Sequence, residues 1–416
     1  MQLTLPSNKN IKHYFFSDII SQFGSGMSFI GMNWFVLEKT GLNSAVGFLM
    51  AIGIMSGLII IPFAGTIADH FNRKQILIYS NFVRAFLILL MVILLLTRPF
   101  NIYYIYFLAI VNGVGWNLYL PASRALVQEI VSTEELLKGN SLIEISLQVG
   151  MFTAGAAAGI IYKFFGIQTI LIVDAATFLV SNFFLFHINY NSVLKRVEKE
   201  EFMRKLINGY QYLIKRPIIF IFGVIIFLPF VVTMTFNVVL PGYVTHHLQA
   251  GSLTFGFLDM CYGIGASLAG VATMYLSIKY SKKYLVIVFF IMSILALSIM
   301  TVNKYFIIPY VATLFFGLPN SAIRIILNSF MMEIIPKEYM GRVLSIWNFI
   351  ATFLQVILTF SVGLVMDKVG SLSGYGFLVT IMVIAFVSYL YFSVRLDREL
   401  AACEPNDESI LLSQTE

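Results

Sequence analysis

A chain of 416 residues in which 59% are hydrophobic and only 12% are charged lies outside the composition of water-soluble globular domains. Its formal charge of +6 comes from cations that cluster in short segments between apolar runs, a pattern that gives a nucleic-acid partner no support. Two cysteines, Cys261 and Cys403, supply neither a disulfide framework nor the spacing of a metal site.

Apolar runs of about 20 residues, long enough to cross a hydrocarbon core of about 30 Å as helices, recur from Tyr14 to Val394. In chain order they predict twelve transmembrane helices, at 14–37, 45–68, 76–97, 102–123, 140–162, 167–188, 217–240, 255–277, 284–303, 305–329, 342–366 and 373–394. A β-barrel would need segments of about ten residues with strict alternation, and none of these runs shows it. Backbone groups in lipid must satisfy one another, so the expected fold is an all-α membrane protein. The first run follows a polar start and is too long for a signal-peptide core, so it is read as a retained helix.

Twenty of the 27 Lys and Arg fall in segments on one side of these spans, five fall in the loops on the other, and Arg84 and Arg324 lie within helices. That bias places both termini in the cytoplasm. The one long polar interruption, residues 189–216, reads as a cytoplasmic amphipathic linker at the membrane surface. It separates a first six-helix half, 1–188, from a second, 217–395, and an acidic tail follows at 396–416.

The halves share a register. At an offset of 204 residues Asn33 meets Asn237, Glu129 meets Glu333, Glu134 meets Glu338, Ser141 meets Ser345, and Gly159 and Gly166 meet Gly363 and Gly370. Five further residues align Arg73-Lys74 with Lys282-Lys283, although Ile278 stands where the first half has Asp69. Two six-helix bundles related by duplication are an architecture in which one rocks against the other around a midplane site.

The loop Gly65-Thr66-Ile67-Ala68-Asp69-His70-Phe71-Asn72-Arg73-Lys74 resembles that between the second and third helices of the major facilitator superfamily. Pro121-Ala122-Ser123-Arg124-Ala125-Leu126, with Val131, Glu134, Leu136 and Asn140-Ser141-Leu142, is similar to a signature of its drug:proton antiporter branch, which contains macrolide-efflux proteins and enterobactin exporters. Pro336-Lys337-Glu338-Tyr339-Met340-Gly341-Arg342-Val343 resembles that branch's tenth-to-eleventh loop. The resemblance implies a monomeric carrier in the bacterial inner membrane that exports a small amphipathic molecule in exchange for protons, with no cofactor. A siderophore transporter, exporter or importer, is the alternative within the fold. The fifth helix carries Gly155-Ala156-Ala157-Ala158-Gly159 where neighbouring antiporter branches have Gly-Pro. A non-transporting membrane sensor or scaffold is the alternative of another class, disfavoured because the short tail offers no signalling domain. No phosphate-binding loop, nucleophile elbow or metal-ligand cluster points to an enzyme.

Ionisable side chains inside spans cost roughly 2.5–3.5 kcal/mol each on insertion scales and so mark interior faces. Asp18, Glu144, Asp174 and Asp259 are the candidate proton carriers. Asp18 shares a helix face with Gln22, Ser25, Phe29 and Asn33, Glu144 pairs with Gln148 at four-residue spacing, and Asp174 reads first as a structural group. The resemblance implies a cavity lined by helices one, four, seven and ten. It makes Gln22, Asn33, Trp34, Asn117, Tyr119, Asn237, Asn320 and Arg324 candidate cargo contacts. For the asparagines, interhelical hydrogen bonding is an equal reading. Trp34 reads first as an interface anchor, and Arg324 as the neutraliser of an acidic partner within the bundle. For the loop motif the expectation is a gate: Asp69 faces the N-terminus of the eleventh helix, and Arg73, beside Lys74, pairs with Glu129. Gly65 opens that motif.

Overall fold

The computed structural model describes residues 8–131, 136–190, 210–211, 213–303, 305–335 and 337–403. Side chains at 62, 65–66, 68–70, 136–142, 144–145, 337–338, 341 and 397–403 also fall outside the described set. Gly65, Asp69 and Glu144 are therefore placed by backbone alone, and the greater part of the linker and the residues after 403 lie outside the described residues.

Twelve helices build the protein among the described residues. They are α1 (Lys9–Thr40), α2 (Asn43–His70), α3 (Arg73–Thr97), α4 (Ile102–Ile130), α5 (136–165), α6 (167–186), α7 (Pro217–His246), α8 (Ser252–Lys279), α9 (Lys282–Val302), α10 (Ile308–Ile334), α11 (Lys337–Val369) and α12 (Leu372–Cys403). The pair α5 and α6 runs as one helical stretch, Leu136–Phe186, broken at Gly166, where φ is 76° and ψ is −177°. A side chain would meet the left-handed penalty there. Gly370, its partner at the 204 offset, has φ 108° between α11 and α12.

Helix starts follow local chemistry and repeat with the register. Asn72 caps α3 by accepting from the Gln75 N–H at 3.2 Å, and Ser281, 209 residues on, caps α9 by accepting from Tyr284 N–H at 3.3 Å. Gly41, in the left-handed region at φ 68°, ends α1.

Ten helical stretches are long and apolar enough to cross a membrane among the described residues, with α5 and α6 counted as one. The exception is α1, whose polar stripe of Ser17, Asp18, Ser21, Gln22 and Asn33 dilutes its hydropathy and is buried inside the protein. Helices α3, α6, α9 and α12 instead expose apolar stripes at helical spacing, such as Phe82, Phe86 and Ile93, or Leu295 and Ile299. An apolar surface of that extent is covered by lipid.

Helices α1 to α6 pack on one another, as do α7 to α12, and the halves join chiefly through α5 against α8 and α2 against α11. One end of the bundle carries the start of α1 and the basic junctions α2–α3 and α8–α9, and is the basic end. The other is the far end.

Candidate functional site

At the basic end, Arg73 opens α3 and ion-pairs with Glu129 near the end of α4. Tyr190 donates to the second oxygen of that carboxylate. Lys74 donates to the carbonyls of Phe186 (2.9 Å) and Ile188 (2.8 Å), where a cation complements the helix C-terminus of α6. The basic pair thus ties α3, α4 and α6 together inside one half. The second half repeats the pairing: Lys282 ion-pairs with Glu333, at offsets of 209 and 204 from Arg73 and Glu129.

The buried carboxylates of the first half sit in two polar networks. Asp18 on α1 accepts from Tyr119 Oη of α4 at 3.0 Å, from Gln22 Nε2 at 3.4 Å, and from Ser146 Oγ of α5. Tyr119 and Gln22 are buried, so these two expected cargo contacts serve Asp18 in this conformation. Asp174 on α6 accepts from Ser28 Oγ at 2.5 Å. In the same layer Arg84 of α3 donates to Ser25 Oγ and Asn112 Oδ1, both at 3.1 Å, with its guanidinium 4.0 Å from the centre of the Phe178 ring. A charge buried on every side needs this number of partners. Sequence reasoning placed Arg84 inside a helix without assigning these partners.

In the second half, Asp259 of α8 is half-buried on the seam between the halves, its Oδ2 lying 2.8 Å from where a Cβ on Gly155 would stand. No hydrogen bond or ion pair reaches it among the described residues. Arg324 is half-buried 5.0 Å above the Phe230 ring, and no carboxylate stands within ion-pair distance of it among the described residues. The acidic partner expected for it is not found among the described residues; its guanidinium faces the Phe230 ring of α7 instead.

Of the remaining cargo candidates, Asn117 and Asn237 are half-buried and donate to carbonyls of their own helices, Gly113 at 2.9 Å and Thr233 at 3.1 Å. Asn320 is fully buried and donates to Thr233 Oγ1 (2.5 Å) and Pro229 O (3.3 Å), which fastens α10 to α7 and removes it from open space in this conformation. Asn33 is buried and its amide makes no hydrogen bond among the described residues. Trp34 is also buried, stacked on Phe255 of the other half at 5.5 Å, so it serves the seam and not a membrane interface.

That stack belongs to a closure of the far end. A Cβ on Gly256 would sit 2.4 Å from Gly155 O and 2.9 Å from Gly159 Cα. On the opposite seam, a Cβ on Gly47 would lie 2.5 Å from Thr359 O, and one on Gly363 would lie 2.6 Å from Asn43 O. Gly159 and Gly363 are related by 204 residues, and Gly47 and Gly256 by 209. Both crossings are therefore copies of one close backbone approach, glycine on glycine between α5 and α8, and glycine against the backbone of Thr359 and Asn43 between α2 and α11. Asp367 of α11 adds a polar clasp: Oδ1 accepts from Asn43 N–H (2.7 Å) and Asn43 Nδ2 (3.0 Å), and Oδ2 from Ser44 N–H (2.9 Å). The hydrogen bonds of Asp367 to Asn43 and Ser44, that of Ser252 to Gly159, and the ring contacts Trp34–Phe255 and Phe48–Phe360 join the halves in the far half of the bundle.

Two six-helix bundles, duplicated in parallel and pressed together at the far end, are the architecture of a membrane transporter. The sequence profile of the Major Facilitator Superfamily matches residues 14–243 and 223–409, and the chain belongs to that family. It is similar to the uncharacterized MFS-type transporter YvqJ of Bacillus subtilis, 22% identical over 76% of each chain. Macrolide efflux protein A of Streptococcus pyogenes is 20% identical over 81% of this chain and 84% of its own length. A crystal structure of a mutant form of the nucleoside transporter NupG superposes with a TM-score of 0.74 over 92% of this chain and 100% of that one, at 12% identity.

Proposed function

We propose that this transporter exports a small amphipathic molecule across the bacterial inner membrane by alternating access, driven by proton antiport. The observation that supports it best is the closure of the far end, where glycines of the two halves stand against the backbone of the other half. By the distribution of Lys and Arg, the basic end faces the cytoplasm, so the far end closed here is the outward side, as alternating access requires in one of its states. Similarity to a macrolide efflux protein favours export.

Among the candidate carboxylates, Asp259 is best suited to carry the proton. Asp18 and Asp174 are held by donors within one half, whereas Asp259 lies on the moving seam with no counter-charge among the described residues. Opening the far end changes the water around it, and a proton carrier needs that change. The gate role of Asp69 with Arg73 and Glu129 belongs to the same proposal, at the basic end. A siderophore or other anionic amphipath is the second reading, favoured by Arg324, which has no carboxylate beside it among the described residues.

Accumulation of a panel of macrolides, dyes and iron chelators, with and without the gene and with the proton gradient intact or collapsed, tests the proposal. Gene-dependent exclusion that vanishes with the gradient is expected. Unchanged accumulation for every compound would sink it.

A further inference from the structure

The geometry points to Asp367 as the positioning residue that holds the far end shut, a carboxylate of one half that caps a helix of the other and must release it at each turnover. This rests on the alternating-access reading above.

The argument starts from a defect in α2. Its N-cap residue is Leu42, which has no side-chain acceptor, so the first N–H groups of the helix have no local partner. Gly41 precedes it in the left-handed conformation and also offers no side chain. The acceptor comes instead from α11, 324 residues away: both oxygens of Asp367 take up the exposed donors, three hydrogen bonds in all. An anion at a helix N-terminus gains from the helix dipole as well as from charge-assisted bonds. The site is shaped for close approach, since a Cβ on Gly242 would fall 1.9 Å from Asn43 Oδ1 and one on Gly363 would fall 2.6 Å from Asn43 O.

The other seam shows that this is not a general property of the fold. There the register sets Lys163 at the place of Asp367 and Ser252 at the place of Asn43. A lysine cannot accept from backbone N–H groups, and the polar contact runs the other way, Ser252 Oγ donating to Gly159 O at 3.2 Å. The clasp is thus built on the α2–α11 seam alone. Its bonds exist only while the far end is closed, so it biases the equilibrium between the two states by its full difference.

The test is a distance measurement that needs no cargo. Spin labels at Arg98 and Tyr305, exposed far-end residues of opposite halves, report far-end opening in a background with Cys261 and Cys403 replaced by serine. Asp367→Asn should raise the ratio of far-open to far-closed molecules by about tenfold, the scale of one charge-assisted bond. Asn43→Pro removes two of the three donors at the first position of the helix, where proline is tolerated and where the extended Leu42 (φ −112°, ψ 124°) suits it. It should shift the ratio the same way, while Lys368→Gln, which changes the adjacent charge, should leave it unchanged. Monodisperse elution of each variant guards against misfolding. The inference stands only if both variants shift toward opening. An unmoved distribution in either one, or an equal shift in Lys368→Gln, overturns it. If both variants shift but no compound is exported, the efflux reading fails and the clasp remains.

Discussion

Replacing Gly256 with valine should force the far end apart. The nearest main-chain atoms of α5 stand 2.4 Å (Gly155 O) and 2.9 Å (Gly159 Cα) from the position of a new Cβ, against 3.4–4 Å for ordinary contact. The shortfall is about 1 Å before the two γ-methyls are added, and the obstructing atoms are backbone, which no rotamer change can move aside. Overpacking of this kind costs about 1–3 kcal/mol. Because α5 and α8 belong to different halves, separation relieves the clash without disturbing either bundle. A cost near 2 kcal/mol would move the far-open to far-closed ratio by up to about 30-fold. The reporter is Thr359→Cys, a nearly isosteric change at a fully buried position of the opposite seam, labelled by a membrane-impermeant thiol reagent. A rigid-body opening accelerates labelling there, whereas a local distortion of α8 does not. Gly270→Val is the control, since it makes the same change in helix propensity at an exposed site with nothing within 4 Å. An unchanged labelling rate in Gly256→Val, or an equal rise in Gly270→Val, would refute the reasoning.

Arg73→Gln and Lys282→Gln remove pseudo-equivalent ion pairs that lie partly exposed at the basic end, so each should lower thermal stability in detergent by no more than about 1 kcal/mol. A much larger loss in transport than in stability for Arg73→Gln would support its gate role, and parallel small losses would remove it. Gly166→Ala forces an alanine to φ 76° and should destabilise the protein by about 1–2 kcal/mol in the same melts, with Gly370→Ala at φ 108° behaving alike. Asp18→Ala removes the acceptor shared by Tyr119, Ser146 and Gln22, of which Ser146 keeps the Ile143 carbonyl at 2.9 Å, and should cost about 1–3 kcal/mol for each group left unpaired. Its melting temperature should fall furthest of this set, and a wild-type melt would contradict the network. Asp259→Asn should abolish uphill export in proton-loaded vesicles while sparing cargo exchange at equilibrium, and full uphill transport would exclude Asp259 as the proton carrier.

The twelve helices, the two bundles and their register were readable in the chain because hydropathy sets spans directly, and duplication leaves matched residues at fixed offsets. The repeat is also visible in details that a register alone implies: Gly166 and Gly370 both break helices with positive φ, and Arg73–Glu129 and Lys282–Glu333 are both ion-paired. What the chain did not reveal was how each polar side chain is turned. Asp18, Gln22 and Asn33 were placed on one face of α1 from spacing, but this helix is buried against several neighbours, so a polar stripe need not face a cavity. Trp34 offered the composition of an interface anchor, and only the docking of α8 shows its ring against Phe255. Asp367 sits near the end of an apolar span beside Lys368 and carries no local motif. Its partner is the uncapped start of α2, and the only clue in the sequence was the leucine standing where an acceptor would serve.

The glycine crossings have a consequence for how such a protein diversifies. At the crossings main chain meets main chain, so the closing surface there tolerates little beyond glycine at Gly256, Gly47 and Gly363. Phe230, Asn237 and Arg324, on α7 and α10, belong to neither crossing. If the proposed cargo contacts on α7 and α10 set what is carried, cargo preference and closure are separable traits, and lineages of this architecture can exchange one chemical appetite for another while the glycine crossings are inherited intact.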